Sequence, residues 1–503
     1  MKHILLLGAG KSATVLIDYL KQLTTDIICK VTVADADLTT AQAKVGEHPL
    51  VSAQQLNIEN DTSRKELIKS ADVVISLLPP ALHYLAAVDC LAFEKHLLTA
   101  SYVDEKIKAL EPQIKEKGLL FLCEMGLDPG IDHMSAMQLI NRIKKENGKI
   151  TSFKSHCGGL VAPESDTNPW HYKISWNPRN VITAGKAGAV YKEAGEVKSL
   201  SYTNLFGLLN KLVNIDELTY AYYPNRDSLS YIPTYQLEDA DTFIRTTLRH
   251  PEFIFGWKNI IDLKLTDEEK VYQTDGLSLA DFFKQHFEKH GFGEWLNEML
   301  VSRLAMAKDM MEKLMELIEA EEQAEKAGAE APEEVMLVDE KGELNSVEIE
   351  DIKDKAAEAV AVKMHEANLS MKQLFFLGMD DNATIINKGL CSAADVLQFV
   401  FESKLALQPE DKDLVVMLHE IDYEKDGTAQ SVKSALVVTG ENATHTAMAK
   451  TVGLPLGIAA KLILEEKILV TGLHIPTIAE IYEPVLKELE VNGISFTETE
   501  ETN

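Results

Sequence analysis

Ile4-Leu5-Leu6-Leu7 runs straight into Gly8-Ala9-Gly10-Lys11-Ser12-Ala13, and Val15, Leu16, Tyr19, Leu20 and Leu23 follow at helical spacing. An apolar strand, a glycine turn and a helix in that order constrain the fold more than any other feature of the chain. Gly8 permits a tight turn, and Gly10 lets the backbone approach a bound group closely. Ala13 is small enough for close packing of helix on strand. The pattern is the G-x-G-x-x-A form of a turn that seats a pyrophosphate on a helix N-terminus.

Ile27-Ile28 and Val31-Thr32-Val33-Ala34 form a second strand that ends at Asp35. An acid at that place accepts hydrogen bonds from ribose hydroxyls and repels a 2′-phosphate. The next residues are Ala36, Asp37 and Leu38, with no arginine. These residues point to NAD as the cofactor, with NADP as the second choice. The alternative is that Asp35 is only a turn residue.

Residues 62–70 have helical spacing. Ala71–Pro79, His96–Ala100 and Gly118–Cys123 are apolar runs separated by helical segments. Continuous apolar strands alternating with helices indicate a parallel sheet covered on both faces. The expected fold is α/β: an N-terminal Rossmann-type parallel sheet, a second mixed α/β domain and a helical insertion. The expected boundaries are 1–132 for the dinucleotide-binding domain, 133–282 with 371–442 for the mixed domain, and 283–370 for a helical segment. Residues 443–503 are expected to form helices packing back on the first domain. From about 316 to 366 the chain is dominated by Glu, Ala and Lys, a composition of solvated helix or disordered loop. Leu414–Leu418 and Ala435–Thr439 have strand patterns, and Ala443–Leu464 a helical one.

The 503 residues suffice for two or three domains. A net charge of −29 repels a nucleic-acid backbone and anionic lipid, so neither is an expected partner. No apolar run reads as long enough to cross a bilayer. The five cysteines, Cys29, Cys90, Cys123, Cys157 and Cys391, show no C-x-x-C spacing. That argues against a disulfide framework and a zinc site, and for a cytoplasmic chain without a metal.

Longer motifs carry a resemblance. They are Thr99-Ala100-Ser101-Tyr102-Val103, Glu124-Met125-Gly126-Leu127-Asp128-Pro129-Gly130-Ile131-Asp132-His133, Cys157-Gly158-Gly159-Leu160 and Ala162-Pro163-Glu164. Tyr172-Lys173-Ile174-Ser175-Trp176-Asn177-Pro178, Pro224-Asn225-Arg226-Asp227-Ser228, Thr247-Leu248-Arg249 and the run 447–453 continue it. Together they resemble saccharopine dehydrogenases of the glutamate-forming type over nearly the whole chain. The acidic stretch near 316–366 has no counterpart in that pattern, which implies an insertion.

The resemblance implies cleavage of saccharopine, two amino-acid skeletons joined through a secondary amine. Hydride passes to the nicotinamide, and hydrolysis then releases glutamate and 2-aminoadipate 6-semialdehyde. It implies cofactor contacts at Gly8, Ala9, Gly10, Lys11, Ser12, Asp35, Ser76, Leu77, Ala100, Ser101, Leu127 and Ser175. Substrate contacts are implied at Ser101, Tyr102, Asp128, Arg226, Thr247, Leu248 and Arg249. Asp128, Cys157 and Tyr102 are the implied proton-transfer group. Each has a plainer reading: Asp128 as a turn residue, Cys157 as packing, Tyr102 as core, and Arg226 as a surface partner of Asp227. His133 reads as a helix N-terminal residue without a chemical role.

Asp35-Ala36 departs from the basic residue that biosynthetic NADPH-dependent members place there, and is closer to degradative NAD-dependent ones. The partner expected is a small amino-acid substrate, and a homodimer is compatible with the class. Three alternatives stand beside this: an NADPH-dependent saccharopine reductase in lysine biosynthesis, a carboxynorspermidine-type dehydrogenase, and a non-catalytic nucleotide-binding scaffold.

Overall fold

The computed structural model describes residues 1–27, 29–207, 211–293, 334–338 and 344–502, together with residues 308, 311, 312 and 315. Strand β1 (Lys2–Leu7) leads through the glycine turn into helix α1 (Thr14–Asp26). Strands β2 (Cys29–Asp35), β3 (Val51–Gln55), β4 (Val73–Ser76), β5 (His96–Thr99) and β6 (Leu120–Leu122) follow. They lie in the order β6-β5-β4-β1-β2-β3, all parallel, with Gly472–His474 added beside β6. Alternate residues of β1 enter different cores: Ile4 and Leu6 one, Leu5 and Leu7 the other. Burial on both faces explains the unbroken apolar runs. The order reverses between β1 and β4, and ligands of open parallel sheets sit at the strand ends beside such a reversal.

The second sheet has ten strands and is mixed. Its central strand is β7 (Lys149–Val161). Thr242–Arg249 lies parallel to β7 on one side and Asp413–Lys425 antiparallel on the other. Thr428–Thr439 and Thr497–Thr502 continue that side to its edge. Helix Ile131–Lys145 shares a core with one face of this sheet through Met134, Ile140, Phe153, Phe243 and Met417.

The contacts divide the chain into two units. One comprises Met1–Thr167, His171–Phe255 and Leu405–Asn503; the other comprises Asn168–Trp170 and Gly256–Lys404. The second unit therefore begins ahead of residue 283, where the apolar spacing suggested. Trp257 and Ile260 of helix Pro251–Asp262 are buried, and Trp257 packs against Phe401, which draws that helix's second half into this unit. Helix Leu279–His290 also lies in it. Of the acidic stretch, Glu334–Val338 pairs with Leu344–Glu348, and Ile349–Phe376 is a helix. The helical reading of 294–320 and the remainder of 316–366 fall largely outside the described residues.

Helix Ala447–Leu464 corrects one expectation. Its 18 residues are long and apolar enough to cross a bilayer. In the structure 72% of that span is buried, and its glycines meet α1: a Cβ on Gly453 would lie 2.9 Å from Leu16 Cβ, and one on Gly457 2.6 Å from the Tyr19 ring. It is a core helix of the first unit. Asp413 and Thr446 cap it, accepting from the amides of Ala447, Met448 and Ala449. The last sixty or so residues thus serve both sheets, where the sequence pattern suggested helices alone.

Candidate active site

The glycine turn lies where the strand order reverses. Gly8 has φ +103°, and a Cβ there would stand 2.8 Å from the Leu77 carbonyl oxygen at the end of β4. Gly10 has open space where its Cβ would be, and Lys11 and Ser12 begin the turn of helix that leads into α1. Asp35 fastens the loop: its carboxylate accepts the Ala9 amide at 2.7 Å and the Asp37 amide at 2.9 Å. Lys44 reaches back to donate to the Gly10 carbonyl at 2.5 Å. Burial pulls the Lys44 ammonium below its usual range, with Asp35 partly offsetting this. A cradle without side chains, a helix N-terminus and a ribose-side carboxylate fit a dinucleotide.

Nearer the reacting end, β4 and β5 deliver Ser76 and Thr99 into a buried polar group. His83 Nδ1 lies 2.8 Å from Ser76 Oγ, and its Nε2 2.7 Å from Ser101 Oγ. His83 is almost wholly buried, which pushes its pKa down to about 4. Leu77, Ala100 and Ser101 are half-buried beside it.

The segment Glu124–His133 is bound to the same strand end. Glu124 and Met125 donate to the carbonyls of Ser101 and Thr99, and Glu124 Oε1 accepts the Val103 amide. Gly130 has φ +147°, and a Cβ there would overlap the Gly126 backbone, so this hairpin requires glycine. The turn presents Asp128 and then starts helix Ile131–Lys145 with Asp132.

Arg245 donates to both carboxylates, at 2.5 Å to Asp128 and 2.8 Å to Asp132, with Tyr231 stacked on its guanidinium at 4.5 Å. His133 is fully buried between Glu124 Oε2, at 2.8 Å, and the Tyr235 hydroxyl, at 2.6 Å. Burial raises the Asp128 carboxyl to about 6 against the opposing pull of Arg245, and the charge of Asp132 adds to the rise. Asp132 moves the other way, held down by His133 and Arg245 against its own burial.

The cationic side chains divide by setting. Arg226, exposed and at φ +49°, stacks over Tyr102 at 5.0 Å and makes no ion pair with Asp227. Asp227 instead accepts the amides of Leu229 and Ser230. Arg249 is buried: Nη1 donates to the Leu248 carbonyl, Nε has no partner, and Tyr172 lies 5.4 Å under the guanidinium. Thr247 pairs in register with Cys157 of β7, so the two share a face with Arg245 and Arg249. Burial drives the Cys157 thiol well above its usual range, and Asp128 adds to that, so it is a neutral thiol.

Three residues expected at the site have other settings. Leu248 points to the opposite face and packs with Leu160 and Val416, because neighbours along a strand alternate. Leu127 lies in the core beneath the loop. Ser175 is buried and hydrogen-bonds Asp413, the cap of helix Ala447–Leu464. Conversely, His83, Glu124, His133 and Arg245 were not picked out as site residues.

Outside this cluster, His171, His250 and Glu252 bring ligand-type atoms within 4.8 Å of one another. His171, however, gives Nδ1 to Asp166 at 2.6 Å and Nε2 to Glu252 at 2.8 Å, and stacks on His250 at 4.0 Å. Stacked rings do not converge their lone pairs on one point, so we read this as an ion triad.

Comparison with known proteins agrees with the geometry. Residues 4–122 match the model described as the saccharopine dehydrogenase NADP binding domain, and residues 126–494 that of the saccharopine dehydrogenase C-terminal domain. The chain is 30% identical over 494 residues to the saccharopine dehydrogenase [NADP(+), L-glutamate-forming] of Saccharomyces cerevisiae, covering 97% of both. It is 33% identical over 482 residues to an alpha-aminoadipic semialdehyde synthase of Arabidopsis thaliana, covering 94% of this chain but only 41% of that protein. The solved apo saccharopine dehydrogenase (L-Glu forming) from Saccharomyces cerevisiae superposes over 100% of both chains, with a TM-score of 0.75 at 27% identity. The chain belongs to the saccharopine dehydrogenase family, and is an NAD(P)-dependent oxidoreductase acting on CH–NH groups.

Proposed function

We propose that this protein oxidises saccharopine to glutamate and 2-aminoadipate 6-semialdehyde, in the degradative direction of lysine metabolism, with NAD as the preferred acceptor. The observation that carries the reading is Asp128: a carboxylate lifted to about 6, on a glycine hairpin tied to the dinucleotide strand end. Bound nicotinamide supplies the hydride acceptor. Asp128, ionised at neutral pH, takes the proton that the secondary amine gives up as the hydride leaves the adjacent carbon. Once that proton has passed to solvent, the regenerated carboxylate accepts a proton from the water that adds to the carbon–nitrogen double bond. Arg249 and Arg226 hold substrate carboxylates, and Tyr102, kept protonated by burial, donates its hydroxyl hydrogen.

NAD is preferred in this reading because the Asp35 carboxylate, ending the second strand against the glycine turn, would repel a 2′-phosphate. The competing choice, NADP, is favoured by Lys44 beside Asp35 and by the cofactor named for the yeast relative. The five cysteines are all free and buried, which suits a reducing compartment such as the cytoplasm.

Purified protein should reduce NAD when given saccharopine, with kcat/KM higher for NAD than for NADP. Asp35→Ser should narrow that gap. A wild-type preference for NADP would overturn the cofactor assignment, and no turnover with either dinucleotide would overturn the substrate.

A further inference from the structure

His83 lies just after β4, on the first turn of helix His83–Phe93, and bridges two serines brought together by separate strands. Burial keeps its ring neutral across the working pH range, with a pKa of about 4. A neutral imidazole has one N–H donor and one acceptor nitrogen, so its two serine partners must play opposite roles.

The short contact to Ser76 decides which nitrogen carries the hydrogen. Ser76 is fully buried, and His83 Nδ1 is the partner of its hydroxyl among the described residues. If Nδ1 carried the hydrogen, the Ser76 hydroxyl would accept it and its own proton would point at nothing, a cost of about 1–3 kcal/mol. With Ser76 donating to Nδ1, the ring hydrogen sits on Nε2 and is given to Ser101 Oγ. Thr99 Oγ1 lies at 3.5 Å from Nδ1 and 3.4 Å from Nε2, long contacts that favour neither nitrogen, and it receives the Ser101 amide at 3.2 Å.

Ser101 is half-buried. With its oxygen accepting from Nε2–H, its own proton is left for an acceptor on its exposed side.

We infer that His83 is a positioning residue: Ser76 fixes its tautomer, and its Nε2–H makes the Ser101 hydroxyl an obligate donor to an acceptor oxygen in the cleft. Two ligand groups offer such an oxygen, the nicotinamide carboxamide and a substrate carboxylate. The inference rests on the proposed reaction for its kinetic assay only.

The test contrasts two amide side chains. Gln places its amide near the Nε2 position and can still donate to Ser101, whereas Asn reaches only the Nδ1 position, beside Ser76. His83→Gln should retain turnover within a few-fold. His83→Asn should lower kcat/KM for saccharopine by up to about 100-fold, the scale of a misplaced contact at a reacting centre.

Ser101→Ala should match His83→Asn, and the double variant should be no worse than either single one. Dissociation constants for the cofactor assign the acceptor: weaker binding in both single variants names the carboxamide, and unchanged binding with a raised saccharopine KM names the carboxylate. Thermal unfolding of each variant separates these effects from lost fold.

Additive losses for His83→Asn and Ser101→Ala, or equal activity of the Gln and Asn variants, would overturn the inference. If the wild type did not turn over saccharopine, the substrate reading would fail by itself. The tautomer would then be read directly from the ring nitrogen NMR shifts of His83, where a hydrogen on Nδ1 would overturn the inference.

Discussion

Asp128, Asp132 and Arg245 form a buried triad with one cation between two carboxylates, and its charge is resolved by holding the two acids at different pKa values. Asp128 is the member raised, to about 6, so it is mostly ionised at pH 7 and protonates as the pH falls through that value. A base is lost on protonation. Saccharopine oxidation should therefore fall on the acid side of about pH 6, and Asp128→Asn should lower kcat and remove that limb. An unchanged pH–rate profile in the variant would take Asp128 out of the proton transfer.

Arg249 makes a different prediction. Its guanidinium is buried, makes no ion pair among the described residues and has a free Nε, a setting suited to a two-pronged hold on a carboxylate. Arg249→Lys should raise the saccharopine KM by a factor corresponding to about 2–5 kcal/mol while leaving dinucleotide affinity nearly unchanged. Equal weakening of both would place Arg249 in the scaffold instead.

Much of this was readable in the residues. Asp128, Cys157, Tyr102, Arg226 and Arg249 were marked by the family resemblance of the motifs that contain them. Arg245 escaped because it lies just outside the Thr247-Leu248-Arg249 run, yet Arg245, Thr247 and Arg249 share one period-2 face. His133 and Glu124 escaped because their role depends on Tyr231 and Tyr235, about a hundred residues away.

At the scale of elements, helix Ala447–Leu464 supports the cofactor loop from behind. A Cβ on Gly453 would lie 3.1 Å from the Leu16 amide nitrogen and 3.3 Å from the Ser12 carbonyl oxygen. Gly453→Leu should lower stability by about 1–3 kcal/mol, as overpacking does, and weaken dinucleotide binding with it. Thermal unfolding and cofactor titration would show this, and unaltered affinity would mean the loop does not depend on the helix.

The Asp166–His171–Glu252 triad tests electrostatics at the same scale. The His171 pKa is raised above 6.5, first by the hydrogen bond to Asp166. Its stabilising contribution is complete below that unfolded value and is lost as the pH rises through the raised native value. The melting-temperature advantage of the wild type over His171→Gln should shrink between about pH 6.5 and alkaline pH. A constant difference would show that His171 acts through packing. The strand patterns of the first domain were legible because both faces are buried. The two late strands were not: Gly472–His474 has three residues, and Thr497–Thr502 consists of Thr and Glu alone, polar on both faces.

For the whole molecule, one compact unit carries both the dinucleotide cradle and the carboxylate–arginine cluster, and the helix that looked long enough for a membrane is a core element of it. The chain's net charge of −29 opposes an anionic substrate, so in the proposed reading its carboxylates depend on local cations such as Arg226 and Arg249. The sequence pattern made the first sheet plain, but the break between the two units depends on where Trp257 is buried, and no local pattern reveals that. The central claim is that a C–N bond of saccharopine is opened on the side that releases glutamate. Product analysis after a limiting amount of saccharopine is consumed with excess NAD tests it most directly. The account predicts one glutamate and one semialdehyde for each reduced nicotinamide; release of lysine and a 2-oxo acid instead would contradict it.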